Sequence, residues 1–80
     1  MTITLYSKPA CHLCEDARRI VDDLQADFGF TVEEIDITTD PELFARYRHE
    51  IPVMVMNGTE LARGRITERE LVEALRATLR

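Results

Sequence analysis

The sequence is poor in residues that interrupt a folded chain: 80 residues contain three glycines and three prolines, against 45% apolar and 31% charged residues. That balance excludes a disordered tail or a low-complexity linker, because there is enough apolar side chain to bury. No apolar run approaches the roughly 20 residues that a membrane-spanning helix needs. Near the amino terminus, Lys8, His12, Glu15 and Asp16 interrupt the apolar stretch of about 7 to 15 residues that a signal peptide requires. Cations are the minority charge, with ten Lys and Arg against fifteen Asp and Glu and a formal net charge of -5. Nucleic acid and anionic membrane surfaces both select an excess of Lys and Arg, so neither is an expected partner. Cysteine is scarce too. Two cysteines do not make a disulfide-stapled secreted scaffold, and the expected location is a reducing cytoplasm.

What is present reads as one small domain spanning residues 1–80, since a chain of this length closes around a single core. TITLYS at Thr2 to Ser7 is β-branched and aromatic and is stopped by Lys8-Pro9, which predicts a buried strand. Apolar positions then recur at Cys14, Ala17, Ile20, Val21, Leu24 and Phe28, the three-and-four spacing of one helical face, and Gly29 ends the helix. TVEEIDI at Thr31 to Ile37 predicts a second strand. Asp40 caps a short helix that opens on Pro41 and Glu42 and ends near Arg48. PVMVM at Pro52 to Met56 predicts a third strand, joined through the hairpin signal Asn57-Gly58 to a fourth near Thr59 to Arg63. Thr67 and Glu70 form a capping box for a closing helix striped by Leu71, Val72, Leu75 and Leu79. The order β-α-β-α-β-β-α predicts an α/β fold with a four-stranded mixed sheet, parallel in its first unit and antiparallel in its last hairpin. Ligands of such sheets sit beyond the carboxyl ends of the parallel strands, where the first strand passes into the first helix.

Both cysteines lie there, as Cys11-His12-Leu13-Cys14. Two intervening residues bring the sulfurs within disulfide reach at a helix start. Cys14 begins the buried stripe, so it is expected to be the shielded, resolving thiol. Cys11 precedes the first full turn, where free amides and the helix dipole favour an anion, so it is expected to be the exposed nucleophile, with Lys8 as a nearby positive charge. Glu15 and Asp16 oppose that stabilisation. A purely structural disulfide is disfavoured on magnitude, because closing a loop of about four residues constrains the unfolded chain by only about 2 kcal/mol. Zinc needs four ligands, and only His12 and His49 remain to complete a set, so no metal site is expected. His12 reads as a solvent-facing residue at the helix start, with tuning of Cys11 as its alternative role. Taken on its own, Ile51-Pro52 reads as a trans strand boundary, since cis is only about 5% of such bonds in folded proteins.

LYSKPACHLCEDA, then EIDI, then IPVMVMNG, resemble the glutaredoxin family, most closely its small glutaredoxin-like branch with a variable dipeptide between the cysteines. The resemblance covers nearly the whole chain. It implies a thioredoxin fold, thiol-disulfide oxidoreductase activity with Cys11 attacking and Cys14 resolving, and a cis Ile51-Pro52 bond facing the pair. It further implies that Ile51 offers its backbone to an extended sulfur-bearing substrate and that Lys8 contacts glutathione. Partners are then protein disulfides or small thiols met by a monomer, with no resident cofactor and glutathione as a candidate co-substrate. Where typical members carry Pro-Tyr between the cysteines, this chain has His12-Leu13. Where they carry Gly-Gly and an acidic residue after the hairpin, it has Ala62-Arg63. Side chains at those positions crowd a glutathione groove, so protein disulfides are expected to be handled better than glutathione mixed disulfides. Arg63 and Arg65 read first as solvated strand-end charges, with anion binding as the alternative. Two other functions compete: an iron-sulfur cluster or metal carrier, and a redox-inactive interaction domain of the same fold.

Overall fold

A computed structural model describes residues 1–79. Strand β1 spans Thr2–Ser7, helix α1 His12–Phe28, β2 Thr31–Asp36, a single 3-10 turn Ile37–Thr39, helix α2 Pro41–Tyr47, β3 Val53–Met56, β4 Thr59–Arg63 and helix α3 Glu68–Thr78. The strands form one mixed sheet in the order β2-β1-β3-β4. β1 and β2 are parallel, and β3 is antiparallel to both β1 and β4. This is the β-α-β-α-β-β-α arrangement of the thioredoxin fold that the sequence predicts.

Local chemistry explains the boundaries. Gly29 ends α1 in the left-handed region at φ 72, with its N–H donating to Gln25 O. Asp40 Oδ1 accepts the Glu42 and Leu43 amides at the start of α2, and Thr67 Oγ1 accepts the Glu70 amide at the start of α3. Asn57 and Gly58 both have positive φ, 53 and 77, as a type I′ turn between β3 and β4 requires. Two elements differ from expectation. β2 stops at Asp36, because the Asp36 carboxylate accepts both the N–H and Oγ1–H of Thr38 and folds Ile37 into a turn. β3 begins at Val53, because Pro52 has no N–H to give a ladder.

The register sorts side chains into two faces. Ile3, Leu5 and Ser7 of β1 share a face with Met54 and Met56 of β3 and with Val32 and Glu34 of β2. Against that face pack Ala17, Val21 and Leu24 of α1 and Leu71 and Leu75 of α3, forming the main core. Each fully buried Leu or Ile contributes roughly 1.5 to 3 kcal/mol of transfer free energy. The closing stripe is shorter than its spacing suggests: Val72 is half-buried and Leu79, at the C-cap, is 37% exposed. The other face carries Tyr6 and Val53, which lie opposite one another, and is covered near them by the 3-10 turn and α2.

Topology brings one end of the sheet to prominence. β1 ends there, β3 starts there and β4 ends there, so the loops 8–10, 48–52 and 64–67 converge.

Candidate functional site

The loop from β1 turns at Ala10, a non-glycine residue held at φ 58, and delivers Cys11 to the N-cap of α1. Cys11 has extended backbone (φ -109, ψ 107), its carbonyl accepts the Glu15 N–H at 3.1 Å, and its Sγ accepts the Cys14 N–H at 3.3 Å. A sulfur thus takes the place that a Ser or Asp oxygen usually fills, and it does so where the helix dipole favours negative charge. Cys11 and Cys14 are joined as a disulfide with Cα atoms 5.2 Å apart. Cys14 is 3% exposed and sits against the core, whereas Cys11 is only partly covered.

On the β2 side the sulfurs border a shallow hollow of about 350 Å³, lined by Lys8, Cys11, Cys14, Glu15, Arg18 and Glu34 among others. Its Arg18 and Glu34 belong to a polar network that sequence reading missed. Ser7, only 4% exposed, donates from Oγ to Glu34 Oε2 at 2.7 Å, and Arg18 Nη1 donates to Glu34 Oε1 at 3.2 Å while its Nε pairs with Asp22 at 3.0 Å. Two signals were present in the sequence. Arg18 stands four residues after Cys14, on the same helical face, and parallel pairing of Thr31 with Thr2 turns Glu34 toward that face.

On the other side stands the Ile51-Pro52 bond, which is cis, with Pro52 buried. The reading of Ile51-Pro52 from its residues alone, as a trans boundary, is corrected by this geometry; the reading from resemblance agrees with it. Pro52 O accepts the Gly64 N–H at 2.8 Å, which ties the loop before β3 to the end of β4. The Ile51 N–H donates to Tyr47 O at 3.1 Å, which fixes the residue before the cis bond to the end of α2. Tyr47 stacks on Tyr6 with ring centroids 4.6 Å apart, and the Arg46 guanidinium lies 5.9 Å above the Tyr47 ring. No spacing rule links residues 6 and 47, and only the fold brings these rings together.

The remaining sequence candidates fall as follows. Lys8 is exposed on the rim of the hollow. His12 faces solvent with Nδ1 3.7 Å from Glu15. Arg63 is the exposed strand-end charge expected, but it is not unpartnered: it bonds Glu60 through Nε and Nη2 and Glu50 Oε2 through Nη1 at 2.9 Å. Those bonds hold the Glu60 carboxyl below its usual range and the Arg63 guanidinium above its own. Arg65 is exposed and lines a second groove of about 410 Å³ with Leu13, Asp16, Arg19 and Thr67. Among the described residues, no group of three or more His, Cys, Asp or Glu side chains gathers as a metal site would. No helix among them is long and apolar enough to cross a membrane.

A Cys-x-x-Cys disulfide at the start of α1, with a cis-proline before β3 at the same end of a β2-β1-β3-β4 sheet, defines a thiol-redox protein of the thioredoxin fold. Comparison with known proteins agrees. The chain is 30% identical over 86 residues to the glutaredoxin-like protein YDR286C homolog of Dictyostelium discoideum, covering all of this chain and 80% of that one. It is 32% identical over 78 residues to a Methanothermobacter thermautotrophicus protein named Probable Thioredoxin, covering 94% and 92% of the two chains. The structure of thioredoxin 1 from Thermosipho africanus superposes with a TM-score of 0.71 over 99% of this chain and 94% of that one, at 18% identity, a likeness of fold. The model of the glutaredoxin-like domain (DUF836) matches residues 2–76, and the chain belongs to that family.

Proposed function

We propose that this protein is a thiol-disulfide oxidoreductase in which Cys11 attacks and Cys14 resolves. The observation that carries the reading is the asymmetry of the pair: Cys11 is accessible and its sulfur is an N-cap acceptor, while Cys14, one turn on, is 3% exposed. The reduced pair begins with Cys11 as a thiolate, favoured by the Cys14 N–H and the positive end of α1. The thiolate attacks one sulfur of a substrate disulfide, forming an S–S bond to it and expelling the other substrate sulfur as a thiolate, which takes up a proton. Cys14 then gives its proton to water and attacks Cys11 Sγ, which closes the disulfide of this structure and expels the second substrate thiolate. That thiolate also takes a proton from water, so two electrons pass from the pair to the substrate, the proton shed by Cys14 returns to water, and water supplies both substrate protons. A dithiol, or two equivalents of a monothiol, restores the pair by the reverse exchange.

An extended substrate fits beside the Ile51 carbonyl, at the end of the sheet where β1 and β3 meet. Lys8 borders the sulfurs from the opposite flank. Protein disulfides are the favoured substrates over glutathione mixed disulfides, because Arg63 stands where the family's glycine pair leaves room and its guanidinium is held by two carboxylates. Glutathione remains a co-substrate as reductant in this reading, and the protein works as a cytoplasmic monomer. The test is trapping. Cys14→Ser should accumulate a mixed disulfide with a disulfide substrate, seen by intact mass and released by dithiothreitol. Cys11→Ser should form none. An adduct that forms equally well on Cys11→Ser contradicts the assignment.

A further inference from the structure

The protein is acidic overall, yet its cations are not spread evenly. Arg18, Arg19, Arg63 and Arg69 are held in ion pairs with carboxylates. Lys8, Arg46, Arg48 and Arg65 make no ion pair with another described residue, and all four are exposed. Arg76 is a further cation of this kind and lies in the last turn of α3, beyond its site end.

The four gather at the redox end of the sheet. Lys8 lines the hollow at the sulfurs, and Arg46 and Arg48 flank Tyr47, whose carbonyl holds Ile51 and whose ring packs on Tyr6. Arg65 follows Gly64, which is bonded to Pro52, and shares its groove with Leu13 between the cysteines. Of the carboxylates at this end, Glu50 shares Arg63 with Glu60, Glu34 shares Arg18 with Asp22, and Asp16 pairs with Arg19, while Asp36 is hydrogen-bonded to Thr38 and keeps its charge, as does Glu15 on the Lys8 side. Asp40 and Glu42 lie at the start of α2 and Arg46 and Arg48 at its end, where the Tyr47 carbonyl holds Ile51, so the cations without an ion pair that stand nearest Ile51 are Arg46 and Arg48.

We infer that this rim selects disulfides set in acidic polypeptide segments, with Asp or Glu flanking the cysteine that Cys11 attacks. The inference rests on the oxidoreductase reading above and names its substrate class. A segment laid along Ile51 places flanking residues between Lys8 and Arg46–Arg48, where carboxylates meet cations that have no carboxylate partner to release. The exposed setting makes this chiefly a matter of association rate and selectivity, sensitive to salt. The acidic body of the molecule turns the same partner toward the rim and away from the outer surfaces.

The test uses the full reduced chain and three disulfide-bonded peptides of one length and cysteine spacing, with acidic, neutral or basic flanks, and glutathione disulfide beside them. The expected kcat/KM for the acidic peptide exceeds that for the basic one by about 10-fold or more at low salt, an advantage that shrinks toward unity near 1 M NaCl, where the screening length falls to about 3 Å. In Arg46→Glu/Arg48→Glu the acidic-to-basic ratio should drop severalfold or invert. Equal turnover of all three peptides at every salt concentration overturns the inference and leaves the oxidoreductase reading standing. Preference for glutathione disulfide over the acidic peptide also overturns it. Failure to reduce any disulfide overturns both readings.

Discussion

The two faces of the sheet are built to different depths. On one, Ile3, Leu5, Met54 and Met56 meet two helices that each bury several side chains. On the other, Ile37 and Val53 are fully buried, but α2 buries no residue at all, and its main contact with the sheet end is the stack of Tyr47 on Tyr6. Cys14 is anchored to the deep face through the stripe of α1. Ile51, Tyr47 and the arginines around them belong to the shallow one. The two sulfurs therefore sit on a stiff platform, while the Ile51 segment, the proposed substrate contact, lies under thin cover, where local opening is least opposed.

Truncations test that contrast most strongly. Leu71→Ala or Leu5→Ala should lose about 2 to 5 kcal/mol, enough to leave so small a domain marginal, whereas Leu43→Ala on α2 should lose under about 1 kcal/mol. Urea unfolding monitored by circular dichroism measures both, and equal losses would erase the distinction. Tyr47→Ala comes next, at about 1 to 2 kcal/mol, since it removes a ring stack and part of the cover over Val53. It should also raise KM for a peptide disulfide more than it lowers kcat, because the stacked ring anchors the stretch of backbone whose Tyr47 carbonyl accepts the Ile51 N–H. Ser7→Ala should lose about 1 kcal/mol, because the Ser7 hydroxyl is buried and donates to a carboxylate that is itself half in water. Thermal melts resolve that loss, which corresponds to a shift of about 4 to 8 °C in a domain of this size.

The smallest effect is one of pH. The hydrogen bonds from Arg63 hold the Glu60 carboxyl below the ordinary glutamate range, so its contribution is present above that range in the folded protein and is lost as pH falls through the lowered one. Arg63, raised, stays charged across that window. The pair is largely exposed, so screening keeps the contribution small. Glu60→Gln should flatten the stability profile below about pH 4.5 and leave it nearly unchanged at neutral pH. An unaltered acid limb would assign that limb to other carboxylates.

Much of this was legible in the residues themselves. The cap at Asp40, the box at Thr67, the αL stop at Gly29 and the Asn57-Gly58 turn are local signals, and each acts within a few residues. The cysteine pair was equally plain, since periodicity alone separates Cys11 from Cys14. What stayed hidden depends on pairs distant in sequence. Ser7 meets Glu34 across a parallel register, Arg63 is caught between Glu60 and Glu50, and Tyr6 meets Tyr47 only after α2 folds back. The end of β2 was missed for a different reason: Ile37 has strand propensity, and a carboxylate one residue earlier overrides it.

The asymmetry of the two sulfurs bears everything else, and alkylation reads it directly. With the native protein reduced and iodoacetamide limiting, peptide mapping should find Cys11 carboxamidomethylated first, with Cys14 at least about tenfold slower, because only Cys11 combines access with amide and dipole stabilisation of its thiolate. Faster modification of Cys14 than of Cys11 would contradict the account at its base.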